Sequence, residues 1–145
     1  MAIRTPRLRL RALTLADASR LALLAGDYDV ASMTGTIPYP YSEEMAADWI
    51  ASVLAGEEGV VFAIIRSGVL IGCTGYRAFG PDHAELGYWI GKPYWGMGYA
   101  TEAARALMDW AAEEKGIRRF IASVAPTNDP SLAIVKKLGF IQTGE

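Results

Sequence analysis

A glycine-rich bend at residues 95–99, Trp-Gly-Met-Gly-Tyr, separates an apolar run that ends at Ile90 from a segment of helical period. Glycine is entropically costly unless the backbone needs a positive φ or another group must approach the main chain closely. When such a bend opens a helix, it gathers unpaired N–H groups at the positive end of the helix dipole. Phosphate is the usual anion there, so the Gly96-Met97-Gly98 bend predicts a phosphate-binding turn.

Two common phosphate-binding motifs can be compared with this turn. The P-loop requires a Lys-Ser or Lys-Thr pair directly after its last glycine, but Tyr99 and Ala100 follow Gly98. The dinucleotide fingerprint requires a third glycine, which Thr101 replaces, and an acidic residue at the end of the next strand, which the strand through Val124 lacks. The sequence therefore excludes the P-loop, and a dinucleotide-binding fold stays as an alternative with an incomplete motif.

Two longer motifs carry a resemblance over nearly the whole chain. The string AELGYWIGKPYWGMGYATEA, followed by NDPSLAIVKKLGF, resembles the GCN5-related N-acetyltransferase (GNAT) superfamily, and within it the RimJ/RimL-like branch that acetylates the N-terminal residue of ribosomal proteins. The resemblance implies acetyl-CoA as the acetyl donor, no metal, and a primary amine as acceptor. That amine belongs either to a protein N-terminus or to a small molecule.

The resemblance also implies which residues bind acetyl-CoA. In the family, backbone amides of the glycine turn and helix start bind the pyrophosphate, and the strand before the turn binds the pantetheine arm like an added strand. Carried over to this chain, the cofactor-binding residues are Gly87, Trp89, Ile90, Trp95, Gly96, Met97, Gly98, Tyr99, Ala100, Thr101, Asn128 and Ser131. One position departs from the pattern, because Trp95 stands where the family often has a Gln or Arg that contacts phosphate.

Three residues are candidates for the chemistry. An alkyl amine has a pKa near ~10.4, so at neutral pH a base must accept a proton before the nitrogen can attack a thioester. Glu85 matches the glutamate that family members commonly use on the fourth strand, and Ser131 and Tyr88 are candidates to donate to the leaving thiolate. Each also has an ordinary structural interpretation: a solvated strand carboxylate, a helix-start serine and a core tyrosine.

The elements that must position these residues follow the order β-α-α-β-β-β-α-β-α-β. The predicted segments are a strand at Arg7–Leu13, a helix capped by Thr14, a helix capped by Ser42, a hairpin of Val60–Arg66 and Val69–Phe79, a strand at His83–Ile90, a helix after Gly98, a buried strand at Arg118–Ala125, and a helix that starts near Pro130 and stops at Gly139. The order predicts one α/β domain on a mixed sheet. The resemblance implies a twisted, mostly antiparallel sheet with helices on both faces, splayed between the fourth and fifth strands.

Composition limits the other classes of function. The chain has 145 residues, of which 52% are hydrophobic and 21% charged, so we expect a single domain over residues 1–145. The net charge of −2 argues against nucleic acid, and no stretch approaches the ~18–20 apolar residues of a membrane span. One cysteine and one histidine make a disulfide impossible and a zinc site improbable, and a cytoplasmic enzyme is expected.

The sequence leaves three questions open. The family fold usually continues with one more strand after the position of Phe140, so we expect a domain that lacks this strand and a sheet edge that favours association into a homodimer. The main alternative to an enzyme is a non-catalytic acyl-CoA-binding module, which release of free thiol from acetyl-CoA would distinguish. The identity of the acceptor amine is not determined by the motifs.

Overall fold

The computed structural model describes residues 2–34, 37–123 and 129–140 of the chain. It contains one sheet of six strands, ordered along the sheet as they are along the chain. The strands are β1 (Ala2–Arg4), β2 (Arg9–Ala12), β3 (Val60–Arg66), β4 (Val69–Ala78), β5 (His83–Ile90) and β6 (Arg119–Ile121). All neighbours are antiparallel except β5 and β6, which are parallel. The predicted mixed, mostly antiparallel sheet is confirmed.

Helices cover both faces of the sheet, and each face has its own core. The helices are α1 (Ala18–Ala25), α2 (Tyr28–Thr34), α3 (Glu43–Leu54), α4 (Tyr99–Lys115) and α5 (Asp129–Lys137), with 3-10 turns at Leu15–Asp17 and Lys92–Tyr94. The first core joins Ala103, Ala104 and Leu107 of α4 to the sheet, and α5 packs against its edge. The second joins α1 and α3 to the opposite face. The side chains of β2–β5 alternate between these cores, as the two-residue period of a strand requires.

Local sequence signals account for several of these boundaries. The hairpin between β3 and β4 turns at Ser67 and Gly68, with φ of 51° and 78°. Both values lie in the left-handed region that a tight hairpin turn needs. Ser42 caps α3 by accepting a hydrogen bond from the Met45 N–H at 3.1 Å. Phe140 donates its N–H to the Val135 carbonyl at 3.0 Å around Gly139, the predicted fold-back after α5.

The sheet opens between β5 and β6. Their pairing covers only three positions, from His83 opposite Arg119 to Glu85 opposite Ile121. Within the described residues no strand pairs with β5 on that side beyond Glu85, although β5 continues to Ile90. This opening is the predicted splay between the fourth and fifth strands, which become β5 and β6 because the chain has an additional N-terminal strand.

Three predictions about the elements need correction. The sequence interpretation missed β1 and α2, which are short and have little periodicity to detect. The strand predicted at Arg118–Ala125 is only Arg119–Ile121 in the described part of the chain, and it is largely exposed because it has a neighbour on one side only. Residues 124 and 125 lie outside the described residues, as does any strand after Phe140.

The side chains of Arg7, Arg9 and Arg11 have different surroundings, and Arg9 is exposed. Arg11 donates to both carboxylate oxygens of the buried Asp17 at 2.9 Å. Arg7 pairs with Glu102 on α4 at 2.7 Å. Strand periodicity places these side chains on one face, but their partners come from elsewhere in the fold.

Two features are absent from residues 2–34, 37–123 and 129–140. They contain no helix that is both long and apolar enough to cross a membrane. They also contain no cluster of three or more His, Cys, Asp or Glu side chains arranged to hold a metal ion.

Candidate active site

The glycine turn forms the N-terminus of α4. Gly96 and Gly98 have φ of 77° and 79°, a conformation that side chains other than glycine rarely adopt, and Gly98 is the N-cap. The N–H of Glu102 donates to the Gly98 carbonyl at 3.1 Å, the first hydrogen bond of the helix. The N–H groups of residues 99–101 precede that bond, so the helix itself offers them no acceptor. Together with the helix dipole they can bind an anion.

Strand β5 leads into this turn along the open edge of the sheet. The Gly87 carbonyl accepts a hydrogen bond from Thr74 Oγ1 at 3.0 Å, and the Ile90 carbonyl accepts one from the Trp95 indole at 2.7 Å. Trp95 therefore closes the end of β5 instead of offering a polar side chain to the turn. Gly87 is exposed, and among the described residues no atom lies within 4 Å of the place where its Cβ would be.

Tyr88 and Ser131 meet on the side of the sheet that α4 and α5 cover. The Tyr88 hydroxyl lies 2.6 Å from Ser131 Oγ and 3.4 Å from the Ser131 carbonyl oxygen. Burial raises the pKa of Tyr88 above its ordinary value, and the hydrogen bond with Ser131 lowers it by less. The phenol is therefore protonated at neutral pH and can act as a hydrogen-bond donor.

The turn, the strand edge and this hydroxyl pair share one cleft of about 400 Å³. Ten of the predicted residues line it: Tyr88, Trp89, Ile90, Trp95, Gly96, Gly98, Tyr99, Ala100, Thr101 and Ser131. Gly87, Met97 and Glu85 do not line it, and Asn128 lies outside the described residues. The fold thus brings together most of the side chains and amides that the motifs singled out.

Glu85 lies on the opposite face of β5 from Tyr88, at the point where the pairing with β6 stops. It is half-buried, and its Oε2 accepts a hydrogen bond from Ser123 Oγ at 2.9 Å. Ser123 was not predicted, because it follows the short β6 and nothing in the local sequence marks it.

Several residues of the cleft were not predicted. They are Val30 and Thr34 of α2, Tyr94 beside the turn, and Ala133, Ile134 and Lys137 of α5. A spacing signal existed for Ile134 of α5, because the position three residues after Ser131 lies close to it on a helix. No such signal existed for α2, whose place against the turn depends on tertiary packing. Arg20 holds Tyr94 there by donating to its hydroxyl at 2.8 Å.

The single cysteine lies away from this cleft. Cys73 is in the middle of β4 and only 3% exposed, and burial raises the pKa of its thiol above the ordinary value. A thiol of this kind stays protonated and unreactive at neutral pH.

The chain is similar to known acetyltransferases. Residues 7–141 match the model of the acetyltransferase (GNAT) domain. The chain is 30% identical to an uncharacterized N-acetyltransferase of Bacillus licheniformis, over 97% of this chain and 82% of that protein. It is also 30% identical to the ribosomal-protein-serine acetyltransferase of Escherichia coli, over 58% of this chain and 48% of that protein.

A solved structure extends the agreement to the whole fold. The GNAT-family acetyltransferase of Bacillus anthracis superposes with a TM-score of 0.88 at 26% identity, covering 99% of this chain and 86% of that one. The family match, the splayed sheet and the glycine turn at the start of α4 agree with one another. The chain therefore belongs to the GNAT family of acetyltransferases, enzymes that transfer an acetyl group from acetyl-CoA to an amine.

Proposed function

We propose that this acetyltransferase works by direct transfer, with acetyl-CoA bound between β5, α4 and α5 and the amine approaching from the side of Glu85. The observation that carries the proposal is the single cleft in which the glycine turn, the open edge of β5 and the Tyr88–Ser131 pair meet. An anion site, an extended strand edge and a hydroxyl donor are the three features that a pyrophosphate, a pantetheine arm and a departing thiolate require.

The pyrophosphate would be bound by the N–H groups at the start of α4, from Tyr99 to Thr101. These donors are fixed in place by the helix, so binding orders no long side chain. The pantetheine arm would follow the edge of β5 past Gly87, where open space allows another chain to approach the backbone. From the resemblance, Asn128 is proposed to contact pantetheine.

Glu85 is the proposed base. As the amine nitrogen forms its bond to the thioester carbon, the nitrogen must lose a proton, and a carboxylate can accept it directly or through a water. The hydrogen bond from Ser123 would keep this carboxylate oriented towards the opening of the sheet. The proton then passes to solvent after the amide has formed.

Tyr88, supported by Ser131, is the proposed donor to the leaving group. When the carbon–sulfur bond breaks, the electron pair stays on sulfur, and a hydrogen bond from the phenol would stabilise that charge. An ordinary thiol has a pKa of ~8.5, well below that of a buried tyrosine, so the phenol stabilises the thiolate and solvent supplies the proton of free CoA.

Direct transfer is also favoured by the location of the only cysteine. An acetyl-enzyme intermediate on sulfur would need an accessible thiolate, and Cys73 is buried with a raised pKa. Transfer through a ternary complex requires no protein nucleophile.

For the acceptor, we propose the α-amino group of a protein N-terminus. The support is similarity to the Escherichia coli enzyme whose name gives a ribosomal protein as its substrate. An α-amino group has a pKa of roughly 7.7–8.0 against ~10.4 for lysine. A larger fraction of it is therefore neutral near pH 7, and a carboxylate base can remove its proton more easily.

The test is release of free thiol from acetyl-CoA with a panel of amines: peptides that begin with Ser or Ala, the same peptides blocked at the N-terminus and carrying one lysine, free amino acids, and polyamines. The expected result is the highest kcat/KM with the unblocked peptides. Equal rates for blocked and unblocked peptides would contradict this acceptor. Binding of acetyl-CoA without thiol release from any amine would favour the non-catalytic acyl-CoA-binding module.

A further inference from the structure

Arg7 contacts the glycine turn from the β1–β2 connection, a part of the chain that the turn motif does not include. Its Nη1 donates to the Met97 carbonyl at 2.9 Å, and its Nε donates to Glu102 Oε1 at 2.7 Å. Its backbone N–H donates to Glu102 Oε2 at 3.0 Å. One residue therefore holds both the outer peptide of the turn and the first turn of α4.

Glu102 needs this partner if a phosphate is to bind nearby. A carboxylate in the first turn interacts favourably with the positive end of the helix dipole, but it repels any other anion that binds at that helix end. Here Glu102 also accepts a hydrogen bond from the Thr5 hydroxyl. Burial raises the pKa of Glu102, but the hydrogen bonds from Thr5 and Arg7 lower it by more, so the carboxylate is charged and already paired.

The free end of the guanidinium lies at the turn itself. Its Nη2 is 3.4 Å from the place where a Cβ on Gly98 would stand, and its Cζ lies 4.6 Å from the centre of the Tyr99 ring. Both neighbours are residues of the proposed phosphate site. A guanidinium presents several donors in a rigid plane, the geometry that suits phosphate oxygens.

The location of the Arg7 guanidinium matters because Trp95 offers no polar side chain to the phosphate. Trp95 stands where the family often has a Gln or Arg, and its indole is hydrogen-bonded to the Ile90 carbonyl instead. We propose that Arg7 supplies the missing side-chain contact: it binds the pyrophosphate of acetyl-CoA and fixes the Gly96–Gly98 turn through the Met97 carbonyl. The inference rests on the proposed function, because it assigns a further phosphate-binding residue to the same glycine turn; Arg7 itself is not among the residues that line the cleft.

The experiment compares two donors. S-acetylpantetheine has the same thioester and pantetheine arm as acetyl-CoA but no pyrophosphate. Arg7→Ala should raise the KM and Kd for acetyl-CoA by about tenfold or more and leave kcat/KM for S-acetylpantetheine within about twofold of wild type. Arg7→Lys keeps the positive charge but loses the planar guanidinium, so its Kd for acetyl-CoA should lie between those of wild type and Arg7→Ala.

Arg9→Ala is the matched control, since Arg9 is an exposed arginine two residues further along the chain, at the start of β2. It should match wild type with both donors. The melting temperatures of the variants show how much each substitution changes the stability of the fold, separately from its effect on binding.

Two results would overturn the inference while leaving the proposed function intact. One is an Arg7→Ala protein with wild-type affinity for acetyl-CoA. The other is an equal loss with both donors, which would make Arg7 a structural tether between β2 and α4. If the wild-type protein binds no acetyl-CoA, the proposed function fails first, and this inference fails with it.

Discussion

Tyr88 Oη and Ser131 Oγ lie 2.6 Å apart, although the two residues are 43 positions apart in the chain. The contact joins β5 to the first turn of α5 across the cleft, where the glycine turn of α4 is the third side. Two hydroxyls at this distance are hydrogen-bonded, so the one that accepts from the other can still donate its own proton outward. The pair is the proposed donor to the CoA thiolate.

Removing either hydroxyl should slow the chemical step more than it weakens binding. Tyr88→Phe keeps the ring and should lower kcat by about 10- to 100-fold, because a hydrogen bond to a charged group contributes roughly 1.5–3 kcal/mol. Ser131→Ala should lower kcat by less, since the phenol stays. KM for acetyl-CoA should change by less than about threefold in both, because the interaction strengthens as the thiolate develops. Steady-state kinetics measures both parameters; a change in melting temperature alone would return both residues to structural roles.

Glu85→Gln tests the proposed base. The substitution preserves size and the capacity to accept a hydrogen bond from Ser123, but it removes the basic group. We expect kcat/KM to fall by about 10²–10⁴ near neutral pH and to recover partly at high pH, where solvent deprotonates the amine. Acetyl-CoA affinity should be unchanged.

The measurement is kcat/KM against pH for Glu85→Gln, wild type and the control Glu113→Gln, which alters an exposed carboxylate near the far end of α4. Superimposable profiles for all three proteins would remove Glu85 from the mechanism.

The glycine turn can be tested with a control from the same helix. Gly98 starts α4 with φ of 79°, and Gly116 follows its last residue with φ of 69°. Valine is strained at both positions, so both variants should lose stability. Only Gly98→Val also places a branched side chain at the phosphate site. Calorimetry should show acetyl-CoA affinity about tenfold weaker for Gly98→Val than for Gly116→Val, which should bind like wild type. Equal affinities would place the pyrophosphate elsewhere.

Asp17 makes the stability of the folded protein depend on pH. Hydrogen bonds from Arg11 lower the pKa of Asp17 below its ordinary value against the opposing effect of burial, and the Thr14 N–H adds to the lowering. A group with a lowered folded-state pKa stabilises the protein above its unfolded pKa, near ~3.9, and that contribution is lost as pH falls from there towards the folded value.

Asp17→Asn should therefore cost about 1–3 kcal/mol of unfolding free energy at pH 7 and make the loss of stability below pH ~5 less steep. Urea denaturation at several pH values measures this. The exposed Asp48→Asn should behave like wild type, and parallel curves for Asp17→Asn and wild type would contradict the assignment.

The sequence by itself determined the features that depend on short stretches of chain. The glycine turn, the caps at Ser42 and Gly139, the Ser67–Gly68 hairpin and the strand His83–Ile90 are all encoded by neighbouring residues, through backbone conformations and periods that few residue types allow. The resemblance to one family then provided the mostly antiparallel sheet, its splay and the residues expected to bind acetyl-CoA.

Tertiary structure decided which side chains became partners. Arg7, Arg9 and Arg11 alternate along the sequence, yet Arg7 pairs with α4, Arg11 pairs with the turn before α1, and Arg9 is exposed. The same is true of Ser123 beside Glu85. The Arg7–Glu102 and Glu85–Ser123 contacts join positions tens of residues apart, and they form only when the packing of two cores sets the distance between elements. A local pattern specifies which face a residue is on, whereas only the assembled fold specifies what it meets there.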